Sequence, residues 1–167
     1  MRFIISVKWI DIPYFFQCFI MKRMKRSFNK PYNYDENLHR FTKKSCMVDL
    51  YYENQILEGI CISWITSNHR FIYLDKFFSV NFKPGIGKQM LNHFIEKNDN
   101  NNRSIIWRCD KDVSAFYLKH DKVIKYFDYN INHKDVVYLG VKMNQNQNQH
   151  RWEYEDIYDL KIKSCFQ

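Results

Sequence analysis

Two glycines, Gly85 and Gly87, stand between Lys83 and Lys88 inside the stretch Tyr73-Leu-Asp-Lys-Phe-Phe-Ser-Val-Asn-Phe-Lys-Pro-Gly-Ile-Gly-Lys-Gln-Met-Leu91. The chemistry of that pattern is anion binding. Glycine lets backbone N–H groups approach a phosphate closely, and a helix opening just behind the turn presents roughly +0.5 of an elementary charge at its N-terminus. A nucleoside-triphosphate loop would need glycine at 82 and serine or threonine at 89, where Phe82 and Gln89 stand. A Rossmann dinucleotide turn would need glycine at 90 and an acid ending the next strand. The chain has Met90 and Trp107-Arg108 there.

The remaining chemistry-bearing residues are sparser. Histidines at 39, 69, 93, 120, 133 and 150 show no metal-ligand spacing, and cysteines at 18, 46, 61, 109 and 165 are odd in number with no CxxC pair. No metal site is read from them, and a disulfide framework is not expected. A reducing, cytoplasmic setting fits best.

The elements that must position the glycine turn follow from periodicity. Phe3 to Val7 reads as a strand, and Asp11 with Pro13 opens a helix in which Phe15, Phe16, Phe19 and Ile20 make one stripe against a sheet. That helix is expected to end near the basic run Lys22-Arg-Met-Lys-Arg26, with residues 30–37 a polar loop. Strands over Cys46 to Tyr52 and Ile56 to Ile65, separated by Glu53-Asn-Gln55, suit a hairpin. A third strand covers Phe71 to Val80 and feeds the glycine turn. The helix Lys88 to Lys97 repeats the apolar stripe at Met90, Leu91, Phe94 and Ile95. Ser104 to Arg108 is a strand, Ser114 to His120 a short helix, and Val123 to Tyr129 with Asp135 to Val141 a closing hairpin.

This order predicts an α/β (α+β) architecture, a mixed but mainly antiparallel sheet flanked by helices, with parallel pairing at the Ser104 strand. The expected division is one domain over 1–143, then a polar link and C-terminal segment over 144–167. With 167 residues and 46% hydrophobic content the chain is long enough for one real core. The apolar start, Phe3 to Met21, is broken by Lys8, Asp11, Pro13 and Gln17, short of the ~20 clean residues a membrane span needs. A net charge of +8 suits a polyanionic cofactor as well as nucleic acid. A run such as Lys22 to Arg26 is more often a solvated face, so nucleic acid is not the expected partner.

Phe82-Lys-Pro-Gly-Ile-Gly87, after a strand and opening a helix, resembles the Q/R-x-x-G-x-G/A signature of the GNAT acetyltransferase superfamily, whose element order matches this one from Phe3 to about Val141. Tyr73-Leu-Asp-Lys-Phe77, Ile106-Trp-Arg108 and Phe116-Tyr-Leu-Lys-His120 are similar, in order and spacing, to the YLDKF, FWR and WYFKH segments of N-acetylglutamate synthases of the vertebrate and fungal kind. Two departures stand out: Phe82 replaces glutamine or arginine, and Cys109-Asp-Lys-Asp-Val-Ser114 replaces an Asn-Pro-rich stretch.

The resemblance implies splayed central strands that hold acetyl-CoA, as co-substrate, and no metal. It implies an N-acetyltransferase acting by direct attack of a small amine, an acidic amino acid or a related one, with a non-catalytic acyl-CoA-binding module or a protein N-acetyltransferase as the alternatives. Backbone donors around Phe78, Ser79 and Val80 would polarise the thioester carbonyl. The N–H groups of Lys83, Gly85, Ile86, Gly87 and Lys88 would hold the pyrophosphate. Tyr117 matches the tyrosine that protonates the leaving thiolate. Lys76 and Arg108 match the positions that grip the acceptor's carboxylates, with Lys76 expected on one face with Leu74 and Phe78. Asp110, Asp112 and His120 are the nearby candidates for a base. Partners beyond acetyl-CoA and the amine are not implied, save that a homodimer is allowed for.

Overall fold

The computed structural model describes residues 1–28, 34–43, 46–66, 69, 71–99, 103–131 and 134–141. The segment 144–167, set apart above as a link and tail, lies outside them.

Strand β1 (Arg2–Lys8) passes through a 3-10 turn (Trp9–Asp11) into α1 (Tyr14–Phe28) and α2 (Tyr34–Lys43). Three antiparallel strands follow, β2 (Met47–Glu53), β3 (Ile56–Ile65) and β4 (Phe71–Ser79). Then come α3 (Ile86–Asp99), β5 (Ser104–Asp110), α4 (Lys111–Tyr117), β6 (Val123–Ile131) and β7 (Lys134–Val141). The seven strands form one sheet ordered β1-β2-β3-β4-β5-β7-β6, and every neighbouring pair is antiparallel except β4 with β5. The parallel pairing expected at the Ser104 strand is thus confined to its β4 side, because α4 hands the chain to β6 and β7 returns beside β5 in the opposite sense.

Helices cover both faces. On one, Ile20, Met21 and Met24 of α1 and Phe41 of α2 bury against Val48, Leu50, Ile60, Ile62, Phe78 and Val80. On the other, Met90, Leu91, Phe94 and Ile95 of α3 and Tyr117 of α4 bury against Tyr51, Cys61, Ile72, Leu74, Ile105 and Trp107. The α3 stripe is the one read from the sequence. The α1 stripe is rotated: Phe15 faces water at 75% exposure, and Met21 and Met24 take the place expected for it.

Helix α1 also runs through the basic run rather than ending at it. Lysine and arginine are good helix formers, their charges favour a helix C-terminus, and the buried methionines supply the packing that carries the helix past them. Tyr34 to Asn37, expected as loop, begin α2. That helix is anchored by Phe41, whose ring meets Trp9 edge-on at 4.9 Å. At the β2–β3 hairpin Asn54 and Gln55 both take positive φ, 49° and 68°, as a two-residue turn between right-twisted strands requires.

Candidate active site

Strand β4 carries one residue too many for its partner. Ile62 of β3 faces Lys76 and Ser63 faces Leu74, so Asp75 is the extra residue of a β-bulge. A bulge reverses the alternation of side chains beyond it. Leu74 therefore packs toward α3, whereas Phe78 packs toward α1. Lys76 falls on the α1 side with Phe78, its Nζ 5.9 Å from the centre of the Phe28 ring. The expected grouping of Lys76 with Leu74 is thereby corrected: a strict period of two does not survive the bulge.

The same residue marks where the sheet opens. Parallel pairing of β4 with β5 runs from Phe71 opposite Ser104 to Leu74 opposite Trp107 and stops. Beyond it β3 keeps pairing with β4 as far as Ser79, and β7 keeps pairing with β5 as far as Asp110. Asp75 to Ser79 consequently turn one edge of backbone N–H and C=O groups into a slot between the two central strands. Phe77 and Ser79 turn their backbone groups to this edge, while Phe78, opposite Ile60 and two residues from the Val80–Glu58 bond, turns its own to β3. Val80 lies just past it, and its N–H is already committed to the carbonyl of Glu58 at 2.8 Å.

The glycine turn stands at the mouth of the slot. Gly85 takes φ +80° with open space where a Cβ would be, so its requirement is conformational. At Gly87 the room is tight: a Cβ there would lie 3.2 Å from Cζ of Phe116, so that ring would have to give by a few tenths of an ångström. The N–H groups of Gly87 and Lys88 open α3, where the first turn has no helical acceptors of its own, whereas that of Ile86 donates to the Lys83 carbonyl at 3.4 Å. Lys83 donates its backbone N–H to Ser79 Oγ at 3.2 Å and pairs its ammonium with Glu53, while Lys88 is exposed.

Aromatic rings line the slot on the α3 side. Tyr117 lies 5.3 Å from Trp107, 6.1 Å from Phe77 and 5.0 Å from Phe116, ring centre to ring centre. Burial pushes its phenol well above the ordinary tyrosine value, so it holds its proton. Cys109, next along β5, is raised to about 11 by burial and by Asp110.

The cations gather on the other side. Asp75, nearly buried, takes Lys76 at 2.9 Å and Arg40 of α2 at 2.8 Å. Arg108 stands among Tyr73, Tyr138 and Asp75. Burial disfavours its charge, but these neighbours outweigh that and its pKa stands above the usual value. Lys76 and Arg108 are thus brought to one face of the sheet around Asp75, while Tyr117 occupies the opposite face. Of the candidate bases, Asp110 and Asp112 are exposed, and Nδ1 of His120 accepts the N–H of Lys122 at 3.2 Å. Arg40 went unread because its helix did. The spacing of Leu38 and Phe41, with Arg40 and Lys43 in a last turn, was the available signal.

No family model matches the chain, and no curated protein does. Solved structures do. An acyl-CoA N-acyltransferase from Pseudomonas aeruginosa superposes with a TM-score of 0.69 at 9% identity, over 85% of this chain and 100% of that one. The ribosomal-protein-S18-alanine N-acetyltransferase from Escherichia coli gives 0.65 at 12% identity, over 88% and 98%. An N-acetyltransferase from Staphylococcus aureus gives 0.61 at 18% identity, over 85% and 97%. At these identities the likeness is one of fold. The chain has the GNAT acetyltransferase fold, a mixed sheet with helices on both faces.

Proposed function

We propose that the protein is an acetyl-CoA-dependent N-acetyltransferase whose acceptor is a small amine carrying one or more carboxylates. The observation that carries this reading is the unpaired edge of β4 from Asp75 to Ser79, running to a glycine turn at a helix N-terminus. A pantetheine arm, with its two amides, is matched by such an edge as an added strand. The amides of Gly85, Gly87 and Lys88, with the exposed Lys88 ammonium, suit a pyrophosphate.

The slot joins the two faces, and that divides the labour. Lys76 and Arg108, on the α1 side, hold the acceptor's carboxylates and aim its amine into the slot. N–H groups of β4 at Phe77 and Ser79 take the charge that develops on the thioester oxygen, a term worth about 3 kcal/mol for a well-placed donor. Attack forms the C–N bond and breaks the C–S bond. Tyr117, protonated on the α3 side, gives its proton to the departing thiolate, and the amine's surplus proton leaves through water.

Thermal unfolding with and without acetyl-CoA tests the cofactor, and release of free thiol with glutamate, aspartate and neutral amines tests the acceptor. A melting temperature that neither acetyl-CoA nor CoA moves would refute the assignment. The second reading, a coenzyme-binding module without turnover, is favoured by Phe82 in the first signature position and predicts the thermal shift with no thiol released across the amine panel.

A further inference from the structure

Phe82 belongs to none of the packed clusters of the fold. Its ring is 69% exposed, and its backbone takes φ +55°, a left-handed conformation that a bulky side chain rarely adopts. The conformation is imposed from both sides. Val80 N–H bonds the Glu58 carbonyl at 2.8 Å, Asn81 Nδ2 donates to Leu57 O at 3.1 Å and to Glu58 Oε2 at 3.2 Å, and Lys83 N–H bonds Ser79 Oγ at 3.2 Å. A hydrophobic ring is therefore held out in water on a pinned, strained loop, three residues ahead of the glycine turn. Strain that the surroundings maintain in this way marks a functional position.

We infer that Phe82 is the stacking platform for the adenine ring of the coenzyme, an inference that rests on the acetyl-CoA reading above. With the thioester arm along β4 and the pyrophosphate at Gly85 to Lys88, the nucleoside must lie outside the slot, on the water side of the turn. An aromatic face offers a base stacking without hydrogen bonds. Lys88, exposed and without an ion pair among the described residues, adds positive charge for the sugar phosphate.

The test is isothermal titration with acetyl-CoA and with S-acetyl-4′-phosphopantetheine, which keeps the thioester arm and lacks the adenosine. Phe82→Ala is expected to weaken acetyl-CoA about tenfold and to leave the truncated thioester unchanged, with Phe82→Trp restoring the difference. Unchanged acetyl-CoA affinity in Phe82→Ala, or an equal loss for both ligands, overturns the stacking role while the cofactor reading stands. A wild-type protein that binds neither thioester overturns both.

Discussion

Gly87 and Phe116 share a space that only a hydrogen at Gly87 leaves open, since a Cβ would stand 3.2 Å from the ring edge. The ring is 40% exposed, so it can yield. Gly87→Ala is therefore expected to cost no more than about 1 kcal/mol of stability, at the low end for overpacking, while tilting Phe116 across the slot. Coenzyme affinity should fall severalfold and Phe116→Ala in the same chain should recover it. Titration of the single and double variants with acetyl-CoA is the check, and independent, additive effects would speak against the shared space.

An ion pair between a buried carboxylate and a half-buried lysine ties α3 to β2. Asp49, 1% exposed on β2, takes Lys97 of α3 at 2.6 Å and the Ser6 hydroxyl at 2.5 Å. Lys97→Met leaves that carboxylate with the Ser6 hydroxyl alone and, with the lysine one-third exposed, should cost about 1 to 2 kcal/mol, whereas removing both charges in Asp49→Leu/Lys97→Met should cost less. Urea unfolding of the three proteins measures it. Similar losses in the single and double variants would count against the pair.

On the cation face, Lys76→Ala should raise KM for the acceptor at least tenfold with little change in acetyl-CoA affinity. Arg108→Lys should behave like Arg108→Ala, because a point charge does not reproduce the planar fork that a carboxylate engages in two parallel hydrogen bonds. Steady-state kinetics with the best acidic acceptor decides this. Equal loss of acetyl-CoA binding would place both residues in the fold rather than at the acceptor.

In the proposed reaction Tyr117 is the acid, and burial raises its pKa, so it stays protonated past the ordinary tyrosine range. The expected profile of kcat rises as the acceptor amine deprotonates and shows no falling limb from Tyr117 below about pH 10. Tyr117→Phe should lower kcat by a factor of about 100 without shifting the rising limb. A falling limb below pH 10 that vanishes in Tyr117→Phe would contradict the burial argument.

Alkaline stability follows from the same physics elsewhere in the core. Burial raises the pKa of Cys61 above 9.0 and those of Tyr51 and Tyr73 above 10.0, their ordinary values. These groups stay neutral in the folded protein but ionise once unfolded. Their contribution is intact below pH 9 and is lost progressively above it, as the unfolded chain sheds protons that the native state keeps. Melting temperature measured from pH 7 to 11 should drop from about pH 9, and Cys61→Ala should delay the onset.

The elements whose packing is local were legible in the sequence. Met90, Leu91, Phe94 and Ile95 announce α3, the two-residue turn at Asn54 and Gln55 announces its hairpin, and the glycine turn announces an anion site. Two things were not. Helix α2 is set by the seating of Phe41 on Trp9, a contact across 32 positions that no window around residues 34–43 contains. The bulge at Asp75 is a property of the pairing between β3 and β4, so Leu74-Asp-Lys76 reads as plain alternation until Ser63 and Ile62 are laid beside it. For that reason Lys76 could be picked out as a candidate while its face could not be derived.

The surplus residue in β4 also gives the protein a length-coded control over its chemistry. A chain shortened by deletion of Asp75 would restore unbroken alternation through β4, leave Lys76 on the α1 side opposite Ile62 but without its carboxylate partner, and let β4 and β5 continue zipping past Leu74 and Trp107. Composition, charge and glycine turn would be almost unchanged, yet the doorway between the two faces of the sheet would be shut. Whether the slot between β4 and β5 stays open is thus decided by counting residues in one strand against its neighbour, before the identity of any side chain along it matters.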